Sequence, residues 1–174
     1  PTHPLSFVPG KTDQFIWWSE RDGYRHLYLY NTQGKELRQV TTGNWVVNEL
    51  AGFNTRRQEV IFTASKESPM EKHIYAASYA KKQASPRRLD GAPGWHDAQA
   101  STSGDYILDA YSAAETPYIA RIAASSGKWE QNILTAADPL KDFQRPQIRQ
   151  VTLKAEDGTP LYGKLILPVN FDTA

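Results

Sequence analysis

Four histidines, at positions 3, 26, 73 and 96, are the first residues to examine for acid–base or metal chemistry, and His96 is followed directly by Asp97. An adjacent carboxylate can orient an imidazole for general-base work. That role also needs a nucleophile, and none of the eleven serines has the Gly-Xaa-Ser-Xaa-Gly flanking of a strained strand-to-helix elbow. His96-Asp97 therefore reads as a polar pair on a strand. The four histidines are not closely paired along the chain, and no His-Glu-Xaa-Xaa-His, phosphate loop or calcium-loop pattern occurs. Glu20, Arg21, Asp22 and Arg25 form a dense charged turn, read as ordinary surface ion pairing rather than a specific contact. Trp17, Trp18, Trp45 and Trp95 have the rings to stack on sugars or proline-containing peptides, but their recurrence reads as core. No catalytic, substrate-binding or metal-ligating residue, and no cofactor, is assigned.

Composition narrows the classes. Lys and Arg number 20 against 19 Asp and Glu, so no broad field attracts nucleic acid or an anionic membrane. Lys81-Lys82 and Arg87-Arg88 read as solvated loops. The absence of cysteine excludes a disulfide framework and cysteine-based zinc sites without fixing the compartment. No apolar run approaches the ~20 residues that span a bilayer. The opening Pro1-Thr-His-Pro has no basic or apolar leader, so any signal peptide is expected to have been removed or to lie upstream.

The elements that hold these residues are legible as a repeat. Phe15-Ile-Trp-Trp-Ser is answered by Val60-Ile-Phe-Thr-Ala and Tyr106-Ile-Leu-Asp-Ala, at intervals of 45 and 46 residues. The partner strands are His26-Leu-Tyr-Leu-Tyr, His73-Ile-Tyr-Ala-Ala and Tyr118-Ile-Ala-Arg-Ile, so His26 and His73 take equivalent places at a strand start. In the first copy, Asp22-Gly23 supplies the positive φ that a turn between twisted strands requires. Phe15 to Trp18 is apolar at every position, which suits a strand covered on both faces. Leu37-Arg-Gln-Val-Thr, Arg87-Arg-Leu-Asp and Glu130-Gln-Asn-Ile-Leu close the copies, and Asn44-Trp45 and Gly94-Trp95 follow two of them, 50 residues apart. A further extended segment follows each of these tryptophans.

Four short strands in about 40 to 45 residues make a β-propeller blade. The expected fold is all-β, with about three four-stranded antiparallel blades at 1–44, 45–94 and 95–135, followed by a β-hairpin. Residues 136–150, with Pro139 and Pro146, read as a linker. Residues 151–167 read as a separate hairpin turned at Asp157-Gly158, opening a further domain.

Two sets of motifs carry a resemblance. The repeat loosely resembles TolB-type propellers. Ser19-Glu-Arg-Asp-Gly-Tyr-Arg-His-Leu-Tyr, then Thr41-Thr-Gly-Asn-Trp-Val-Val, then Asp157-Gly158 with Leu165-Ile-Leu-Pro-Val-Asn-Phe-Asp172, resemble the dipeptidyl peptidase IV branch of the prolyl oligopeptidase (S9) serine peptidases across essentially the whole chain. The resemblance implies an eight-bladed propeller that caps an α/β-hydrolase and restricts access to it. Residues 1–135 would be late blades, with the charged turn at a rim facing the central opening or the hydrolase, and 151–174 the start of the hydrolase domain. It also implies an extracytoplasmic serine exopeptidase that releases Xaa-Pro or Xaa-Ala from peptide N-termini. The implied partners are peptide substrate and the protein's own hydrolase domain, with no nucleic acid. The family's triad, oxyanion tyrosine and amine-binding glutamates match no residue here, so this portion is expected to be inactive alone. Open blade faces would favour self-association. The alternative is a stand-alone TolB-like propeller module that binds protein.

Overall fold

The computed structural model describes residues 5–81 and 85–171; His3, Lys82 and Asp172 lie outside them. Among the described residues every regular element is a strand. β1 (Ser6–Phe7), β2 (Gln14–Ser19), β3 (His26–Asn31) and β4 (Glu36–Gln39) form one antiparallel sheet in chain order. β5 (Val47–Asn54), β6 (Glu59–Ala64), β7 (His73–Ser78) and β8 (Arg87–Arg88) form a second. β9 (Trp95–Ala100), β10 (Tyr106–Ala113), β11 (Thr116–Ala124) and β12 (Glu130–Thr135) form a third, and β13 (Gln147–Lys154) and β14 (Pro160–Leu167) pair as a hairpin. The chain is thus all-β, with three four-stranded meanders of the propeller-blade plan.

Side-chain alternation explains why the sheets stack. In the second sheet Val60, Phe62, Tyr75 and Ala77 join the first sheet's Ile16, Trp18, Leu27 and Leu29 in one core. Ile61, Ile74 and Ala76 point the other way and meet Ile107 of the third sheet. Successive residues of a strand face opposite sides, so a sheet packed on both faces must be apolar without a break. β6 meets that condition, with Val60, Ile61 and Phe62 fully buried.

β2 does not. Its Ile16 and Trp18 join the core shared with the second sheet, while Trp17, on the other face, is 44% exposed. The turn between β2 and β3 is also longer than a two-residue hairpin loop. Ser19 pairs with His26, and Gly23, at φ +86°, donates its N–H to the Glu20 carbonyl. β13 begins at Gln147, four residues inside the segment read as a linker, and Gly158 turns the hairpin at φ +83°.

Candidate functional site

The chemistry-bearing side chains gather where the second and third sheets meet. The arrangement begins as a repeat feature of the first sheet. His26 starts β3, and Thr41, just past β4, accepts the Leu27 N–H at 2.9 Å. The ring of His26 lies with Nδ1 3.1 Å from Thr41 Oγ1 and Nε2 2.8 Å from the Gly43 carbonyl. In the second sheet His73 starts β7 and Asp90 takes the place of Thr41. Its Oδ2 accepts the Ile74 N–H at 2.6 Å and its Oδ1 lies 3.0 Å from His73 Nδ1. His73 Nε2 meets Glu71 Oε2 at 3.0 Å.

From there the polar contacts cross the seam. His96, on β9, lies against His73 with ring centroids 5.4 Å apart and stacks on Tyr111 of β10 at 4.5 Å. His96 Nε2 faces the Ala92 carbonyl at 3.1 Å and Nδ1 faces Asp109 Oδ1 at 2.8 Å. The other oxygen of Asp109 accepts from Arg121 Nε at 2.8 Å, and Arg121 Nη1 donates to Glu130 at 2.8 Å. Burial opposes the charge of Arg121, but its hydrogen bond to Asp109 and the attraction of both carboxylates prevail, so its proton is held more tightly than usual. His73, Asp90, His96 and Asp109 are all buried.

The sequence reading of these histidines needs two corrections. His73 and His96 are 23 residues apart in the chain yet adjacent in space, and Asp97 is not the partner of His96. Neighbouring residues of a strand point to opposite faces. Asp97 instead meets the amine of Lys72 at 2.5 Å, on the side where Lys72 also reaches Glu49 at 3.6 Å. Potential ligand atoms of His73, Asp90 and His96 lie within 4.8 Å of one another. A cation there would compete with Arg88, whose Nε and Nη2 donate to Asp90 Oδ1 at 3.0 and 2.8 Å. His96 has a carbonyl, not a hydroxyl, at Nε2, so this geometry supplies no activated serine. What it supplies is a cross-linked seam.

Arg87 and Arg88 are correspondingly not a solvated loop. They form β8, and Arg87 reaches over the same seam to the Ser125 carbonyl at 3.1 Å and to Glu59 at 3.2 Å. Residues the sequence reading passed over complete this rim. Asn54 Nδ2 donates to the Gly104 carbonyl at 3.0 Å and to Asp105 Oδ1 at 3.2 Å, and Arg56 pairs with Asp105. The hydrogen bond from Arg56 holds the Asp105 carboxyl below the usual range. Gly104, at φ +71°, is required here, since a Cβ would sit 2.1 Å from the Phe53 carbonyl oxygen. A cleft of about 380 Å³ opens beside these groups. A second, of about 670 Å³, lies between Glu71, Trp95 and Glu115 on the sheet rims and Lys164 on the hairpin.

The charged turn is also more specific than surface pairing. Arg21 lies over the Tyr28 ring, 4.3 Å from its centroid, donates to the Tyr30 hydroxyl and meets Glu36 at 2.5 Å. Asp22 accepts from the Tyr28 hydroxyl at 2.7 Å and from Gln39 at 2.8 Å. The turn thus folds back over the outer face of the first sheet and buries Tyr28 and Tyr30. Arg25 turns the other way, donating to the Val47 carbonyl at 2.8 Å beneath Trp18, while Glu20 stays exposed. Of the four tryptophans read as core, Trp18 and Trp45 are buried, but Trp17 and Trp95 are 44% and 47% exposed.

The Tyr28 hydrogen bond, with help from Gln39 and Arg21, holds the Asp22 carboxyl below the ordinary carboxylate range. A depressed carboxyl adds stability above its unfolded value of about 3.9 and loses it as pH falls through the folded value. Asp22→Asn is therefore expected to melt below the wild type at neutral pH, with the gap closing on acidification below about pH 4. A gap that persists unchanged to about pH 3 would assign the effect to packing instead.

Comparison with known proteins places this geometry. Residues 1–118 match the profile of the dipeptidyl peptidase IV (DPP IV) N-terminal region. A probable dipeptidyl peptidase 4 of Arthroderma benhamiae is 28% identical over 169 residues, which is 95% of this chain and 22% of that protein. One from Aspergillus fumigatus is 29% identical over 164 residues, 92% of this chain and 21% of that protein. The crystal structure of a putative dipeptidyl aminopeptidase IV from Bacteroides ovatus superposes with a TM-score of 0.83 at 33% identity, covering 97% of this chain and 27% of that one. That of Porphyromonas gingivalis dipeptidyl peptidase 4 superposes at 0.84 and 28% identity, over 97% of this chain and 24% of that one. The chain therefore spans between about a fifth and about a quarter of the lengths of the proteins it matches.

Proposed function

Since the chain belongs to the dipeptidyl peptidase IV N-terminal-region family, we propose that it is the late-propeller wall and first hydrolase strands of a serine dipeptidyl peptidase that removes Xaa-Pro or Xaa-Ala from peptide N-termini. The supporting observation is that 97% of the chain, sheets and hairpin together, superposes on a single polypeptide in each of two such enzymes. A stand-alone binding module gives no reason for β13 and β14, which lack the four-stranded plan. On this reading the blades are 1–44, 45–94 and 95–135 of an eight-bladed ring, 136–150 is a linker and 151–174 opens the hydrolase.

The role is mechanical. A wall that admits only chain ends must hold its blades in fixed register, and the hydrogen-bonded seam from Glu71 to Glu130 does that between the second and third sheets. The site is extracytoplasmic, as for an enzyme acting on external peptides; among the described residues no helix is long and apolar enough to cross a membrane. Alone, the piece associates through outward apolar groups such as Tyr106, Leu108 and Tyr118, which are 43 to 52% exposed.

The test compares the 174-residue chain with the parent protein on Gly-Pro and Ala-Pro chromogenic amides and with a fluorophosphonate probe. The parent is expected to hydrolyse both amides and to be labelled once. The short chain is expected to do neither and to sediment above monomer mass at low micromolar concentration. A parent that is inert and unlabelled overturns the enzymatic reading, and labelling of a serine in the short chain overturns its assignment as wall.

A further inference from the structure

The third sheet opens on an aromatic residue that the blade plan does not ask for. Gly43 and Gly94 hold similar positive φ, +131° and +135°, at the same place in two copies, and the residues that follow them are Asn44 and Trp95. Both are exposed, so a short polar side chain meets the plan at this position. Trp95 is nevertheless held on both edges of its strand. On one it pairs with Ser112 of β10. On the other, Lys72 donates its N–H to the Gly94 carbonyl at 3.1 Å and accepts the His96 N–H at 2.9 Å. The Lys72 amine, itself anchored by Asp97 and Glu49, lies 5.1 Å from the ring. The result is a half-exposed indole on a fixed backbone.

That indole lines the cleft of about 670 Å³ between the sheet rims and the hairpin, a volume in the range of ligand pockets. The lining is apolar at Trp95 and Ile148, carries carboxylates at Glu71 and Glu115 on the blade rims, and carries an amide and an amine at Gln150 and Lys164 on the hairpin. Glu71 uses one oxygen for His73. Among the described residues, no hydrogen bond or ion pair engages the side chains of Glu115, Gln150 or Lys164. The cleft therefore sets free acceptors on one wall and free donors on the other, with an indole beside them. An extended peptide answers all three, with main-chain N–H groups, carbonyls and a side chain. A proline ring suits the indole, because proline-containing segments are already extended and lose little entropy on docking in aromatic-lined grooves. A sugar also stacks on indole, but Ile148 offers nothing to its hydroxyls.

We propose that this cleft is a peptide subsite, in which a prolyl ring stacks on Trp95, main-chain N–H groups reach Glu71 and Glu115, and carbonyls reach Gln150 and Lys164. The blade side supplies the indole on its fixed strand, and the hairpin side closes the groove. The proposal deepens the peptidase reading and rests on it for treating the bound peptide as substrate. Trp95 is then a residue that helps to select peptide substrates, outside the reacting atoms.

Two measurements test it. The first titrates the 174-residue chain, its tryptophans labelled with nitrogen-15, with the capped peptide acetyl-Ala-Pro-Ala-Pro-Ala-Pro-amide. The indole signal of Trp95, assigned by its loss in Trp95→Ala, is expected to shift to saturation while those of the exposed Trp17 and Trp129 stay in place. Glu115→Gln is expected to weaken the binding about fivefold, the scale of one charge-assisted hydrogen bond. No shift at Trp95, equal shifts at Trp17 and Trp129, or tighter binding of cellohexaose than of the peptide overturns the subsite. The second measurement uses the parent protein and compares kcat/KM for an Ala-Pro-initiated decapeptide with that for the Gly-Pro chromogenic amide. Trp95→Ala is expected to lower the ratio of the two about fivefold through KM, as loss of one stacking contact does. A constant ratio overturns the role in substrate selection. A parent inert on both substrates overturns the peptidase reading, and the indole titration then decides the subsite by itself.

Discussion

Asp109→Ala is expected to cost about 3–5 kcal/mol of folding stability, the usual penalty for removing one partner of a buried ion pair. For a chain of this size that is a fall in melting temperature of roughly 6–20 °C. Asp109 is 1% exposed and uses its two oxygens separately, one for His96 and one for Arg121. Alanine leaves both donors buried without an acceptor. Asparagine keeps a carbonyl oxygen for Arg121 Nε and turns an amide N–H to the ring of His96 but loses the charge, so Asp109→Asn is expected to lose less than the alanine variant. Asp97→Ala is the control. Asp97 is two-thirds exposed and Lys72 retains Glu49, so the expected loss is below about 1 kcal/mol. Thermal melts of the three variants decide it. Equal losses at Asp97 and Asp109 would mean that the seam is solvated and carries no special share of the fold.

The contrast between Asp97 and Asp109 shows which parts of the site were legible in the sequence. Strand recurrence at 45 and 46 residues located β2, β6 and β10, because a repeated sheet repeats its apolar strand. It also put His26 and His73 at equivalent strand starts, where the structure has them. The partners were hidden for a physical reason. Asp90, Asp109 and Arg121 reach the histidines across strands and between sheets, and such contacts have no fixed sequence spacing. Chain adjacency then suggested Asp97, the one residue that strand alternation turns away. A usable signal was nevertheless present at the position after β4. Thr41 there and Asp90 in the second sheet each accept the N–H that follows a strand-start histidine.

The tryptophans show the same limit and carry the last prediction. Matching Trp45 to Trp95 by residue type put both in the core, but the glycines are the better anchor. Gly43 and Gly94 have φ of +131° and +135°, a conformation that favours glycine, and the residues two further on are Trp45 and His96. In space those two correspond, since Trp45 packs on His26 at 4.8 Å just as His96 packs on His73 at 5.4 Å. Trp45 also stacks on Phe62 and Tyr75 at 6.3 and 6.5 Å, binding the first sheet to the second. Trp95, left at the rim and about half exposed, has the Lys72 amine 5.1 Å from its ring. Trp45→Ala is therefore expected to cost about 3–5 kcal/mol through loss of buried area and the cavity left behind. Trp95→Ala is expected to cost no more than about 1 kcal/mol, the scale of a partly exposed cation–π contact. Denaturant midpoints of the two variants provide the comparison. A loss at Trp95 that matches the loss at Trp45 would restore the residue-type alignment and place Trp95 in the core.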